Sequence, residues 1–241
     1  LANRTEEFRY DANGNLIYRA GLADDDEDKY EQQGWNYEYD LENRLIKASK
    51  VGEHGHRSIS FKYDPFGRRV EKKVEETEHG ETEARITTYV YDNEDIILEI
   101  SGKATSRYVH GPGIDEPLAM EQKRNTFFFH ADGLGSIVNL TDQRGRVVQS
   151  YDYSSFGRMK VQSGEVRQPY GYTGREWDKE TGLYYYRARY YDPKGGRFIS
   201  KDPIGFAGGD VNLYRYVQNN SINRIDPTGE IDPLSGAIIA L

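Results

Sequence analysis

The dipeptide Tyr-Asp recurs at Tyr10-Asp11, Tyr39-Asp40, Tyr63-Asp64, Tyr91-Asp92, Tyr151-Asp152 and Tyr191-Asp192, and this recurrence constrains the fold more than any other feature of the chain. Written out, the repeating unit is an alternating strand, a short turn and a second strand, as in FRYDANGNLIYR (8 to 19) and ISFKYDPFGRRVEKKV (59 to 74). Such a unit reads as a β-hairpin, with Tyr, Phe, Val and Ile filling half-buried pleated positions. Asn13-Gly14 suits the positive φ angles of a two-residue hairpin loop, and Asp64-Pro65-Phe66-Gly67 presets φ at the second turn position. No stretch of a dozen residues keeps helical spacing of apolar residues, so any helix is expected to be short.

Amphipathic hairpins that pair laterally make a continuous twisted sheet, and coiling that sheet covers the edges an open strip exposes. The expected fold class is therefore mainly β: repeated antiparallel β-hairpins forming a twisted, spiralling sheet around an interior. Two polar insertions, Asp24 to Asp28 and Glu71 to Arg85, read as solvated loops or hairpin tips. From Phe127 onward the strand alternation persists, but glycine becomes denser and the turns tighter.

Composition narrows the function. Only 36% of the 241 residues are hydrophobic and 30% are charged, a balance that leans toward disorder, yet 20 Tyr, 9 Phe and 2 Trp supply burial that disordered chains lack. With no Cys, a disulfide scaffold, a thiolate zinc site and a cysteine nucleophile are excluded. The net charge of −8 argues against nucleic-acid binding as the main activity. No apolar run approaches the roughly 20 residues of a membrane span, and Leu1 to Tyr10 has no signal-peptide core.

Three segments carry a family resemblance: HADGLGSIVNLTD (130 to 142), YGYTGREWDKETGLYYYRARYYDPKGGRFISKDPIG (170 to 205) and NLYRYVQNNSINRIDPTG (212 to 229). They resemble the core region that ends bacterial Rhs and YD-repeat proteins, and the upstream hairpins resemble the repeats before that core. The resemblance implies three parts: Tyr-Asp hairpins over 1–126, the Rhs repeat-associated core over 127–229, and a linker or start of cargo over 230–241. It further implies a hollow shell related to the Tc-toxin B and C shell and to teneurin. Such a shell encloses and helps deliver a C-terminal toxin. The implied partners are the protein's own cargo, upstream shell repeats, a type VI or Tc-like secretion apparatus and an immunity protein, with delivery out of a bacterial cell or display on its surface. No cofactor is implied.

In these relatives the core is similar to an aspartyl autoprotease that cuts just beyond the second DPxG. Asp202 and Asp226 occupy the two matching positions. The chemistry needs two carboxyls close enough that one holds a proton, so that one activates water and the other protonates the leaving group. Asp210 is the other acid between them and could replace either, while Lys201 offers a cation beside the first aspartate. DPxG also occurs at Asp64 and Asp192, however, and each of the four copies makes a good type I turn. Relatives carry Leu after the second DPxG, whereas here Gly229 is followed by Glu230 and then by the apolar tail Ile231 to Leu241.

Other constellations read as structure. His54 and His56 lack a third ligand at metal spacing, and Asp24 to Asp28 lacks the spaced calcium-loop pattern. His130 has no nucleophile elbow beside it, and Ser101-Gly102-Lys103-Ala104 lacks the rest of a phosphate loop. Asn3-Arg4-Thr5, Asn139-Leu140-Thr141 and Asn219-Asn220-Ser221 match the glycosylation pattern, which the bacterial resemblance makes incidental. Tyr184, Tyr185, Tyr186, Tyr190 and Tyr191, interleaved with Arg187, Arg189 and Arg197, read as packed wall rather than a stacking surface. The competing reading is an extracellular adhesion or carbohydrate-binding module without catalysis, which requires exposed tyrosines and no buried acid pair.

Overall fold

The computed structural model describes residues 6–20, 34–52, 55–114 and 116–230. Asp24 to Asp28, His54, Asn3-Arg4-Thr5 and the tail from Ile231 lie outside the described residues. Fourteen antiparallel strands pair in sequence order. They are β1 Glu7–Tyr10, β2 Leu16–Ala20, β3 Trp35–Tyr39, β4 Leu45–Val51, β5 Gly55–Tyr63, β6 Arg69–Glu78 and β7 Glu81–Asp92, then β8 Asp95–Ser101, β9 Ala104–His110, β10 Pro117–Gln122, β11 Asn125–Ala131, β12 Ile137–Asp142, β13 Val147–Tyr153 and β14 Met159–Ser163. The expectation of a mainly β, hairpin-built chain holds, and the described helical residues are confined to three short 3₁₀ turns. No helix among the described residues is long and apolar enough to cross a membrane. The chain divides into two compact units, 1–88 and 89–241.

In the first unit one face of the sheet is buried and the other is not. Leu16, Tyr37, Leu45, Ala48, Ile59, Phe61 and Val74 are buried; strand alternation places them inward, and a register shift opposite Glu38 and Tyr39 resets the phase between Leu45 and Ala48. Of the two readings of Glu71 to Arg85, the hairpin tip holds and the loop does not. The stretch forms most of the β6–β7 hairpin, turning at His79 and Gly80, both with positive φ. Alternating charge solvates the outward positions while Val74 pins the register inside.

The turns explain the repeat. Asp11, Asp40, Asp64, Asp132 and Asp142 each head a loop in which the Asp N–H donates to the carbonyl four residues on. The residue three positions on, Gly14, Asn43, Gly67, Gly135 or Gly145, donates back to the Asp carbonyl and has left-handed φ. This is a type I turn closed by a bulge, a three-residue loop. Asn13-Gly14 is thus not a two-residue loop, because only Gly14 has positive φ. In all five, Asp Oδ1 also accepts the N–H four residues on. In three, Oδ2 takes the Nε of an arginine at that same place, Arg44, Arg68 or Arg146. Desolvation pushes the Asp40 and Asp64 carboxyls up, but the arginine and backbone bonds outweigh it and hold both below the usual range; at Asp142 the Arg146 bond leads.

The tyrosine has a separate task. Tyr39, Tyr63 and Tyr153 each precede a turn and donate their hydroxyl to the first residue of the preceding strand, at Leu16 O (3.0 Å), Leu45 O (2.6 Å) and Ile137 O (2.8 Å). Tyr and Asp therefore need not be adjacent. Asp152 lies within β13, and Ser154 heads the turn that follows.

In the second unit Tyr89, Ile96, Tyr108, Met120, Phe129, Ile137, Leu140 and Tyr151 form the inner face, with Tyr170 packed edge-on against Tyr108. A small antiparallel sheet follows: β15 Glu176–Asp178, β16 Leu183–Tyr186, β17 Arg189–Asp192 and β18 Arg197–Phe198. Every residue of β16 and β17 is buried. Tyr172, Tyr184, Tyr186, Tyr191, Phe198, Tyr216 and Val217 form its core. Tyr172, Tyr191 and Tyr184 donate their hydroxyls to three successive carbonyls of the 154–158 turn, Ser155, Phe156 and Gly157. Aromatic bulk and satisfied phenols together tie this small sheet to the β13–β14 hairpin.

Candidate active site

Residues buried on both faces of a sheet have no route to water, and Arg189 opens β17 in that setting, 2% exposed. A guanidinium there requires acidic partners. It finds two: Nη2 lies 3.1 Å from Asp202 Oδ2 and 3.4 Å from Asp226 Oδ2. Its Nη1 donates to Leu213 O at 3.1 Å, its Nε donates to Gly229 O, and its plane covers the Phe198 ring 3.6 Å from the centroid.

Both aspartates head turns related to those of the repeats. Asp202 Oδ1 accepts the Ile204 N–H at 3.0 Å, and the Gly205 N–H returns to Asp202 O. Asp226 Oδ1 accepts the Glu230 N–H, four residues on, at 3.0 Å. What differs from Asp40, Asp64 and Asp142 is the counter-ion. Phe206 and Glu230 stand where those turns carry arginine, so each Oδ2 turns inward to the shared Arg189. Burial is the largest influence on Asp226 and raises it; Arg189 and the Glu230 N–H pull it down, Asp202 pushes it up, and it ends at about 6. Burial likewise raises Glu230, with Asp202 adding to the rise and Arg189 opposing it.

The segment from Pro227 to Glu230 lies against β16 and β17, gripped through its main chain. Arg175 and Arg187 donate to Pro227 O, the Ala188 N–H to Thr228 O, and Arg189 to Gly229 O. Gly229 has φ +72, and a Cβ there would lie 2.1 Å from Tyr186 O, so only glycine permits this approach. Thr228 Oγ1 donates to Glu230 O at 3.2 Å.

The other candidates fall outside this cluster. Lys201 is exposed, and the cation that meets Asp202 is Arg189, which the sequence pattern alone assigns to the packed wall. Asp210 pairs with Arg215 at 3.5 Å and accepts the Asn212 N–H. His130 bonds Thr141 on the exposed side, and Ser101 to Ala104 is the β8–β9 turn. Among the described residues no group of three or more His, Asp or Glu is placed to hold a metal. The signal for Arg189 is present in the sequence: an arginine flanked by tyrosine pairs and triplets that must be buried, as in YYYRARYY (184 to 191), needs an acid.

The chain matches the family model described as teneurin YD-shell over residues 1–222, and it belongs to that family. It is 33% identical over 252 residues to the probable deoxyribonuclease RhsB of Dickeya dadantii, covering 97% of this chain and 16% of that protein. It is 30% identical over 235 residues to the tRNA3(Ser)-specific nuclease WapA of Bacillus spizizenii, covering 90% of this chain and 10% of that one. It is also 30% identical to the double-stranded DNA deaminase toxin A of Burkholderia cenocepacia, over 94% of this chain and 16% of that protein. The chain thus spans a small fraction of these relatives. In fold it is similar to the TcdB2-TccC3-Cdc42 crystal structure, with TM-score 0.69 and 20% identity over 93% of this chain and 13% of that one. It is an Rhs-type β-shell chain.

Proposed function

We propose that this chain is the C-terminal part of a shell that encloses and helps deliver a toxic cargo, and that it cuts its own backbone at Glu230. In this reading 1–126 is repeat strip, 127–229 is the core and 230–241 leads into cargo. Its partners are that cargo, upstream repeats, a secretion apparatus and an immunity protein, and it acts outside the producing cell. The names of the relatives, which include nucleases and a deaminase toxin, support the cargo. The burial of Tyr184 to Tyr186, Tyr190 and Tyr191 speaks against the adhesion alternative, which needs those rings in solvent.

The observation that carries self-cleavage is the pair of buried carboxyls on one guanidinium, beside a main-chain segment held by four donors. Asp226, whose carboxyl burial raises to about 6 so that it carries its proton in mild acid, is the acid, and Asp202 beside Arg189 is the base. Asp202 accepts one proton from a water whose oxygen bonds to the carbonyl carbon of the reacting peptide. Arg189 steadies the charge developing on oxygen. Asp226 passes its proton to the peptide nitrogen, the C–N bond breaks, and a new carboxyl and a new amine result. The proton on Asp202 restores the dyad through solvent.

Intact-mass measurement of the full-length protein with Asp202→Asn and Asp226→Asn variants tests this. Two fragments in the unmutated protein and one mass in both variants are expected. A single full-length mass in the unmutated protein removes the self-cleavage and leaves the shell.

A further inference from the structure

Arg187 stands at a place that disfavours its residue type. β16 and β17 pair Tyr186 with Arg189, so Arg187 and Ala188 make a two-residue loop, and Arg187 has φ +55. Hairpin loops of this length favour glycine or asparagine where φ is positive, and a longer side chain held there marks a constraint from its surroundings. The guanidinium shows that constraint. Nη1 donates to Pro227 O, Nε lies 3.1 Å from Glu94 Oε2, and Nη2 lies 3.5 Å from Glu94 O. Glu94 belongs to the turn between β7 and β8, 93 positions upstream. Its side chain is 54% exposed, whereas that of Arg187 is 15% exposed.

We propose that Arg187 is a positioning residue of the self-cleavage site, a bracket that fixes the Pro227 carbonyl to the tip of the β7–β8 hairpin. The proposal rests on the self-cleavage reading above. Arg175 already donates to Pro227 O at 2.8 Å, so Arg187 is not needed to satisfy that oxygen. What it adds is a second fixed point, outside the small sheet. A planar fork can hold a carboxylate and a carbonyl at once, which the single ammonium of a lysine does with less definite geometry. Anchored in this way, the peptide to be cut keeps its place against Asp202 and Asp226, where a small displacement of a reacting group is costly. An ion pair with a half-exposed carboxylate adds little stability, so the bracket governs position rather than folding.

Arg187→Gly separates the two roles, since glycine relieves the left-handed backbone and removes the fork. In the full-length protein the unfolding midpoint should hold or rise, while the rate of self-cleavage, followed by intact mass, falls at least about 10-fold. Glu94→Ala should slow cleavage about 3- to 10-fold, and the double variant should be no slower than Arg187→Gly alone, because both changes break one link. Cleavage at the native rate in Arg187→Gly, or losses that multiply in the double variant, overturns the proposal. Should the unmutated protein not cut at all, the self-cleavage reading fails, and hydrogen exchange decides the bracket. The Ala188 amide, which donates to Thr228 O at 3.2 Å, should then exchange at least about 5-fold faster in Glu94→Ala. Unchanged exchange there overturns the proposal by that route.

Discussion

Asp226 and Arg189 meet at 3.4 Å with both side chains almost wholly out of solvent. Removing the cation leaves two buried carboxyls facing each other. Arg189→Met is therefore expected to destabilise the second unit by about 3–5 kcal/mol at pH 7, and by less at pH 5, where protonation relieves the charge. Urea unfolding at both pH values measures this; an equal loss at the two would assign the effect to packing alone.

Asp226 also sets a pH dependence. Its folded value, about 6, lies above the ordinary 3.8, so the folded chain binds the extra proton and is stabilised in acid. That contribution is complete below about pH 4 and is lost as pH rises through about 6. Stability should accordingly increase by about 1–3 kcal/mol on going from pH 7.5 to 5, and the slope should flatten in Asp226→Asn. Denaturation midpoints across this range provide the check.

The repeat turns behave in the opposite sense. Asp40 and Asp64 are held below the ordinary carboxyl range, so their support is present above it and fades only as pH falls through their folded values. Asp64→Ala removes acceptors for the Phe66 and Arg68 N–H groups and should cost about 1–2 kcal/mol at neutral pH. Thermal unfolding of this variant measures the cost.

Tyr63→Phe deletes one hydroxyl and leaves Leu45 O without that donor. A loss near 1 kcal/mol is expected. Amide exchange at the β4–β5 pairing should quicken while that of distant strands stays unchanged.

Gly229→Ala places a methyl group onto Tyr186 O and strains a left-handed backbone. The segment it anchors should detach, with self-cleavage reduced at least about 100-fold. Global unfolding should change little, because Pro227 to Glu230 supplies no ring to the core around Tyr186, Tyr191 and Tyr216. Comparing cleavage by mass with unfolding by fluorescence separates the two effects.

Much of this is readable from residues. Alternation around Tyr-Asp is enough to predict hairpins, and turn chemistry places their tips, because both depend on neighbours within a few positions. The roles of Tyr63 and Asp64 are not separable from sequence, since the hydroxyl reaches a different strand. For the same reason the four DPxG copies look equivalent. Asp64 has Arg68 four residues on, whereas Asp226 has Glu230, and that difference acquires meaning only when Arg189 arrives from β17. Lys201 is the nearer cation in sequence, but its long solvated chain gains nothing from burial, whereas a planar guanidinium can serve two carboxyls at once.

The grip on Pro227, Thr228 and Gly229 is made entirely through carbonyl oxygens, apart from the bare Cα that Gly229 must present. A clasp of that kind recognises polypeptide as such and is indifferent to the message written further along it.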